Sequence, residues 1–267
     1  MICNKRRVGL CAIVALTSVN LLAQGFRPGG PPPSPKAGAP VDMTGYWVAE
    51  VVEDWKYRML PASKAKAPPP GLFGGGIGVP VNPEGLKLTM AWDPAKDEAA
   101  GEQCRSYGAA NIMRVPGRLH ITWQDEQTLK IETDAGMQTR LFHFGASPAG
   151  GGDWQGVSQA SWEALEGFEI PGLGRLSGFA SEKTGSLKVV TTKLKAGYLR
   201  KNGIPYSAST VLTEYYDVAI EPDGDTYLVI TTTVEDPVYL TQPYLTSTHF
   251  KKQSDASGWN PSPCTAR

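Results

Sequence analysis

With 267 residues, 41% of them hydrophobic and 19% charged, the chain is long enough to bury a full core in one domain. Its 26 basic residues are cancelled by 26 acidic ones, so no basic face is on offer to a nucleic acid. The 30 glycines and 22 prolines gather in a few stretches, which predicts long loops and not a disordered chain.

Residues 1–23 read as a secretory signal. Lys5, Arg6 and Arg7 supply the positive start, and Val8 to Ala23 supplies the apolar run, with cleavage expected after Ala23. Thr17, Ser18 and Asn20 interrupt that run, which is too short for a comfortable membrane span, so no stable membrane insertion is expected once it is removed. The expected destination is the periplasm or the extracellular space. Removal takes Cys3 and Cys11 with it and leaves Cys104 and Cys264, which an oxidising compartment would join in one disulfide.

Residues 24–41 form a Pro/Gly/Ala linker of extended, mobile character, and a single domain is expected over 42–267. Thr44 to Val52 reads as the first strand, with a continuation over Trp55 to Leu60. Pro61 to Val81 is a low-complexity loop, read either as a lid or as a plain insertion. Asn82 and Pro83 have the chemistry of an N-cap and a first helical residue, predicting a helix to about Trp92. A second helical piece is expected over Pro94 to Gln103, and an irregular stretch over Arg105 to Gly117.

Arg118 to Phe144 then alternates apolar and polar residues in three short runs separated by tight turns, the pattern of an antiparallel meander. A two-residue turn at Asp125–Glu126 sets Trp123 against Thr128, and a turn over Asp134 to Met137 sets Thr128 against His143. On that register His143 shares a face with Trp123, Leu141, Lys130 and Glu132, while His120 shares the other with Ile131, Arg140 and Phe142.

A glycine-rich break over Gly145 to Gly152 precedes further strands at Trp154–Glu163, Ser186–Leu194, Ser209–Glu221, Thr226–Val234 and Leu245–Lys252. A hairpin-like loop is expected over Gly167 to Gly185, and a turn over Pro222 to Gly224. With nine or ten strands and one or two short helices, the expected fold class is all-β, an antiparallel up-and-down barrel.

Gly45-Tyr46-Trp47, at the head of the first strand, resembles the G-x-W signature of lipocalin-like, calycin-type barrels. That resemblance implies a tryptophan packed across the barrel floor and a lumen for a small molecule. Trp154, Gly156, Ser158, Trp162 and Glu163, with Leu187, Val189 and Thr191, resemble a group of uncharacterised secreted proteins of environmental bacteria. Leu212-Thr213-Glu214 and Glu235-Asp236-Pro237 extend that second resemblance, which implies export and assigns no chemistry.

Three chemistries are open. A lumen lined by Trp47, Arg114, Trp123, Arg140, Phe142 and Tyr215 would hold a small apolar or amphipathic ligand with polar anchors. Alternatively, Glu132, Glu214 or Glu235 would act with His143 and an arginine (Arg114 or Arg200) as a hydrolase, isomerase or lyase on the same barrel. Glu132 with Asp134 and Arg140 also reads as a charge cluster, equally at home as surface ion pairs. The third possibility is a structural or interaction module of the cell envelope. The histidines His120, His143 and His249 lack close metal-ligand spacing, so no metal is assigned, and the absence of nucleotide, zincin and nucleophile-elbow motifs leaves no cofactor assigned.

Overall fold

The structure is a computed structural model, and the residues described are 32–50, 78–146, 149–164, 169–170, 174–175 and 185–266. The expected signal, the continuation over residues 55–60 and most of the 61–81 loop lie outside them. The compact unit runs from Pro33 to Arg267.

In chain order the strands are β1 (Gly45–Glu50), β2 (Arg118–Trp123), β3 (Thr128–Thr133), β4 (Thr139–Phe144), β5 (Val157–Ala164), β6 (Glu169–Ile170) and β7 (Gly174–Arg175). They continue with β8 (Gly185–Thr192), β9 (Gly197–Tyr198), β10 (Pro205–Tyr206), β11 (Val211–Ile220), β12 (Thr226–Glu235) and β13 (Tyr244–Gln253). Nine of them close a barrel in the order β1-β13-β12-β11-β8-β5-β4-β3-β2, and the pairs β6–β7 and β9–β10 stand apart. The expected all-β barrel is thus present.

An odd ring cannot alternate direction all the way round, so at least one neighbouring pair must be parallel. Here that seam is β4–β5, with Phe142 beside Ser158 and Phe144 beside Ala160; every other barrel pair is antiparallel. Parallel neighbours need a crossover of roughly a dozen residues. Residues 145–156 supply it, which turns the expected glycine-rich break into a structural requirement. The crossover ends where Asp153 Oδ1 accepts the Gln155 and Gly156 amides. Gly156 has φ +61°, and a Cβ there would sit 2.4 Å from the Thr192 carbonyl oxygen.

Three α-helices and a 3₁₀ turn gather at one end of the barrel: α1 (Pro83–Met90), α2 (Pro94–Ala99), the 3₁₀ turn Gln103–Tyr107 and α3 (Ala109–Ile112). Asn82 caps α1 as expected, its Oδ1 accepting the Gly85 amide at 2.9 Å. Asp93 caps α2 in the same way. The stretch expected to be irregular over Arg105 to Gly117 is helical in part, over residues 105–107 and 109–112, and turn or bend elsewhere. Its helical turns are too short to show a period, and tertiary burial of Ala109 to Ile112 holds them.

The disulfide Cys104–Cys264 forms, spanning 160 residues of sequence. It ties the 3₁₀ turn to a C-terminal segment whose Ser262 pairs with Ala135.

At the opposite end the expected mobile linker is, from residue 33, a strap. Ser34 Oγ donates to Glu126 Oε2 at 2.6 Å, and the Pro35 carbonyl accepts from Trp162 Nε1 at 2.8 Å. Val41 and Met43 join the core. Prolines that stiffen a free tether serve equally well to lay a chain flat across a barrel mouth.

Alternation along each strand sends one set of side chains inward. Trp47, Ile121, Phe142, Leu187, Tyr216 and Phe250 belong to a single apolar cluster inside the barrel, each at most 1% exposed. A second cluster at the helix end includes Leu199, Ile204, Tyr206, Leu212 and Val234. The outward set is different. Lys130, Glu132, Glu163, Lys188, Asp217 and Lys251 stand on the outer wall, several in ion pairs such as Lys188–Glu163 at 2.9 Å. A membrane-spanning barrel carries the reverse arrangement, an apolar belt outside and polar groups within.

Candidate functional site

Between the two apolar clusters the inner wall is polar. Its centre is Arg140 on β4 and Glu214 on β11, both with fully buried side chains. Arg140 Nη1 donates to Glu214 Oε1 at 2.9 Å and Nη2 to Oε2 at 2.5 Å, a bidentate pair. Nη1 also reaches the Tyr216 oxygen and Nη2 the Thr191 hydroxyl, each at 3.2 Å. Tyr216 donates its own hydrogen bond to Glu214 Oε1 at 3.1 Å, and Thr191 shares a hydrogen bond with Ser158 at 2.8 Å.

Burial and then Glu214 raise the Tyr216 hydroxyl well above the ordinary tyrosine range. Burial opposes the Arg140 charge, but Glu214 and Tyr216 outweigh it and its pKa rises further. The Arg140 Nε atom is buried with no partner among the described residues.

The polar row continues round the wall. Glu214 lies opposite Thr232 on β12, and Thr232 opposite Thr246 on β13, with Thr248 next along the same inner face. These threonines are 6%, 9% and 8% exposed, and their hydroxyls make no hydrogen bond among the described residues. Buried hydroxyls normally find partners, so unpaired ones that keep some accessible surface mark where a guest or water would bond.

Beyond them, at the helix end, Tyr244 receives a hydrogen bond from Arg114 and one of 3.1 Å from Arg200. Both arginines are at least nine-tenths buried and have further interactions of their own.

The expected ligand contacts divide accordingly. Trp47, Arg140 and Phe142 are fully buried inside the barrel. Trp47 Nε1 donates to the Met43 carbonyl, and the Lys252 ammonium lies 4.5 Å from its ring. Trp123 is inward at the strap end, 5.6 Å from the Phe144 ring. Arg114 belongs to the helix-end cluster. Tyr215 is on the outer wall beside Lys188, because its neighbour Tyr216 takes the inward position.

The expected catalytic set is not assembled. Glu132 is on the outer wall, bonded to Lys130 at 3.0 Å and to His120 Nδ1 at 3.3 Å. His143 is also outside, beside a groove of about 140 Å³ under the crossover. Glu235 is exposed at the end of β12. Only Glu214 faces the lumen, and the Arg140 pair and Tyr216 engage both its oxygens.

The expected faces of the meander also need correction on one strand. Trp123 pairs with Leu129 and not with Thr128, because the β2–β3 connection is longer than two residues. One residue of slip exchanges the two faces of β2. His120 therefore joins Glu132 outside, stacked on Tyr46 at 4.2 Å, while Trp123 turns in. The second turn has the expected register, with Thr128 opposite His143. Asp134 is not part of a surface cluster: at 4% exposure it accepts the Arg118 and Ala135 amides.

His249 is on the outer wall next to Ser247, so the three histidines do not converge. Among the described residues no three His, Cys, Asp or Glu side chains are grouped to hold a metal ion.

Sequence reasoning missed the hydroxyl-bearing members Ser158, Thr191, Tyr216, Thr232, Thr246 and Thr248. A signal existed: in Leu228, Ile230, Thr232 and Val234 a threonine interrupts an otherwise apolar inward set.

A further cleft of about 320 Å³ lies outside the barrel between α1, α2 and the β9–β10 pair. Its buried Asp97 is taken up by Trp92 Nε1 at 2.9 Å, Arg105 at 3.1 Å and the Tyr198 hydroxyl at 2.9 Å. No protein-family model matches the chain, and neither does any curated protein or solved structure.

Proposed function

We propose that the protein is an exported, water-facing barrel that carries a small amphipathic molecule in its lumen. The observation that supports this best is the division of the inner wall. An apolar cluster on the strap side meets a polar row of Arg140, Glu214 and three threonines with unpaired hydroxyls. An apolar chain would take its free energy from the first zone, at about 25 cal/mol per Å² removed from water, and its orientation from the second. The charged outer wall suits a barrel surrounded by water. The Cys104–Cys264 bond suits an oxidising compartment.

Native mass spectrometry of the protein, exported and purified without detergent, tests the proposal. A bound species of a few hundred daltons, released on denaturation, is the expected result. A bare polypeptide mass, together with no thermal stabilisation by any amphiphile, would overturn it.

A further inference from the structure

Resting on the carrier reading, we infer that the lumen selects an uncharged head group, an alcohol or a carbonyl, over a carboxylate or an ammonium. The first reason is saturation. The four terminal N–H groups of Arg140 are matched by Glu214 Oε1, Glu214 Oε2, the Tyr216 oxygen and the Thr191 hydroxyl, which leaves only its single buried Nε–H without a partner among the described residues. An incoming anion would have to displace Glu214 from a bidentate, fully buried pair, leaving a second carboxylate without its partner.

The second reason is charge. Arg140 and Glu214 cancel, so the row offers no net charge to either kind of ion. An ion moved from water onto it would lose hydration without a counter-charge.

The third reason is what remains available. Thr232, Thr246 and Thr248 present hydroxyls that both donate and accept, with residual exposure and no partner among the described residues. Thr246 and Thr248 are alternate residues of β13, about 7 Å apart along the strand, and Thr232 is the cross-strand neighbour of Thr246. A hydroxyl or carbonyl set among them completes their hydrogen bonding without adding charge. Arg114 and Arg200, the cations nearest along β13, are turned to Tyr244.

The test compares three probes of equal chain length on the intact protein at pH 8: 1-decanol, decanoate and decylammonium. Dissociation constants come from competition against an environment-sensitive fluorescent amphiphile. The inference expects 1-decanol to bind at least about tenfold more tightly than either ion. It also expects Thr246→Val and Thr232→Val each to weaken 1-decanol by about fivefold, the scale of one neutral hydrogen bond, with the ions little affected. Because valine preserves the shape of threonine, circular dichroism and the unfolding temperature verify that each variant is folded.

Decanoate binding as tightly as 1-decanol or tighter would overturn the inference while leaving the carrier reading in place, and would move the head group to Arg114 and Arg200. Tighter binding of decylammonium would overturn it equally. If none of the three displaces the reporter, the carrier reading fails and takes this inference with it.

Discussion

Arg140 and Glu214 show why a buried ion pair is better evidence about design than about stability. Two charges taken out of water recover their hydration only through close mutual contact, and here the contact is bidentate and supported by Tyr216 and Thr191. Arg140→Leu strands the Glu214 carboxylate and should cost about 3–5 kcal/mol in urea unfolding. The double variant Arg140→Leu with Glu214→Leu should recover most of that loss, and a double variant as unstable as the single one would refute the account of the pair.

Asp236 gives a pH prediction. Burial pushes its carboxyl up, but hydrogen bonds from the Ser207, Tyr239 and Val238 amides and the Thr210 hydroxyl outweigh that and hold it below the usual range. A folded pKa below the unfolded value means stabilisation that is full above about pH 4, the unfolded value, and is lost as pH falls through the folded one. Asp236→Asn should therefore lower stability at pH 6 and flatten its decline between about pH 5 and 3 in urea midpoints. Neither carboxylate role could be read from composition. Glu214 was a candidate to act with Arg114 or Arg200, but the closed sheet instead brings Arg140 to it, 74 residues away in sequence.

At the scale of elements, local chemistry was readable where the cause is local. Asn82 and Pro83 start α1 through capping, and alternation located every long strand. Faces were harder. The β2–β3 turn differed by one residue from its expected length, and that exchanged the expected positions of His120 and Trp123. The parallel seam was hidden for a different reason. A glycine-rich loop between two strands looks the same whether it makes a hairpin or crosses over, and only the closure of nine strands decides.

The tie between Cys104 and the C-terminal segment also belongs to this scale. Closing a loop of 160 residues contributes as much as about 5 kcal/mol on the chain-entropy account. Replacing both cysteines with serine should lower the urea midpoint by a matching amount, and an unchanged midpoint would show that the segment is held by its other contacts. Asn82→Ala should cost only about 1 kcal/mol, measured the same way.

For the whole molecule, the decisive property is an inner wall with two chemistries inside an outer wall that carries charged ion pairs. The strap over residues 33–44 and the helical layer lie at opposite ends of the barrel. Threonine provides the most direct measurement, because β11, β12 and β13 taken together place it on both faces of the sheet. In methyl-resolved NMR of the intact protein titrated with 1-decanol, the account predicts saturable shifts for Thr232, Thr246 and Thr248, with Thr213, Thr231 and Thr233 on the outer wall unmoved. Shifts confined to the outer threonines, or none at saturating 1-decanol, would contradict it.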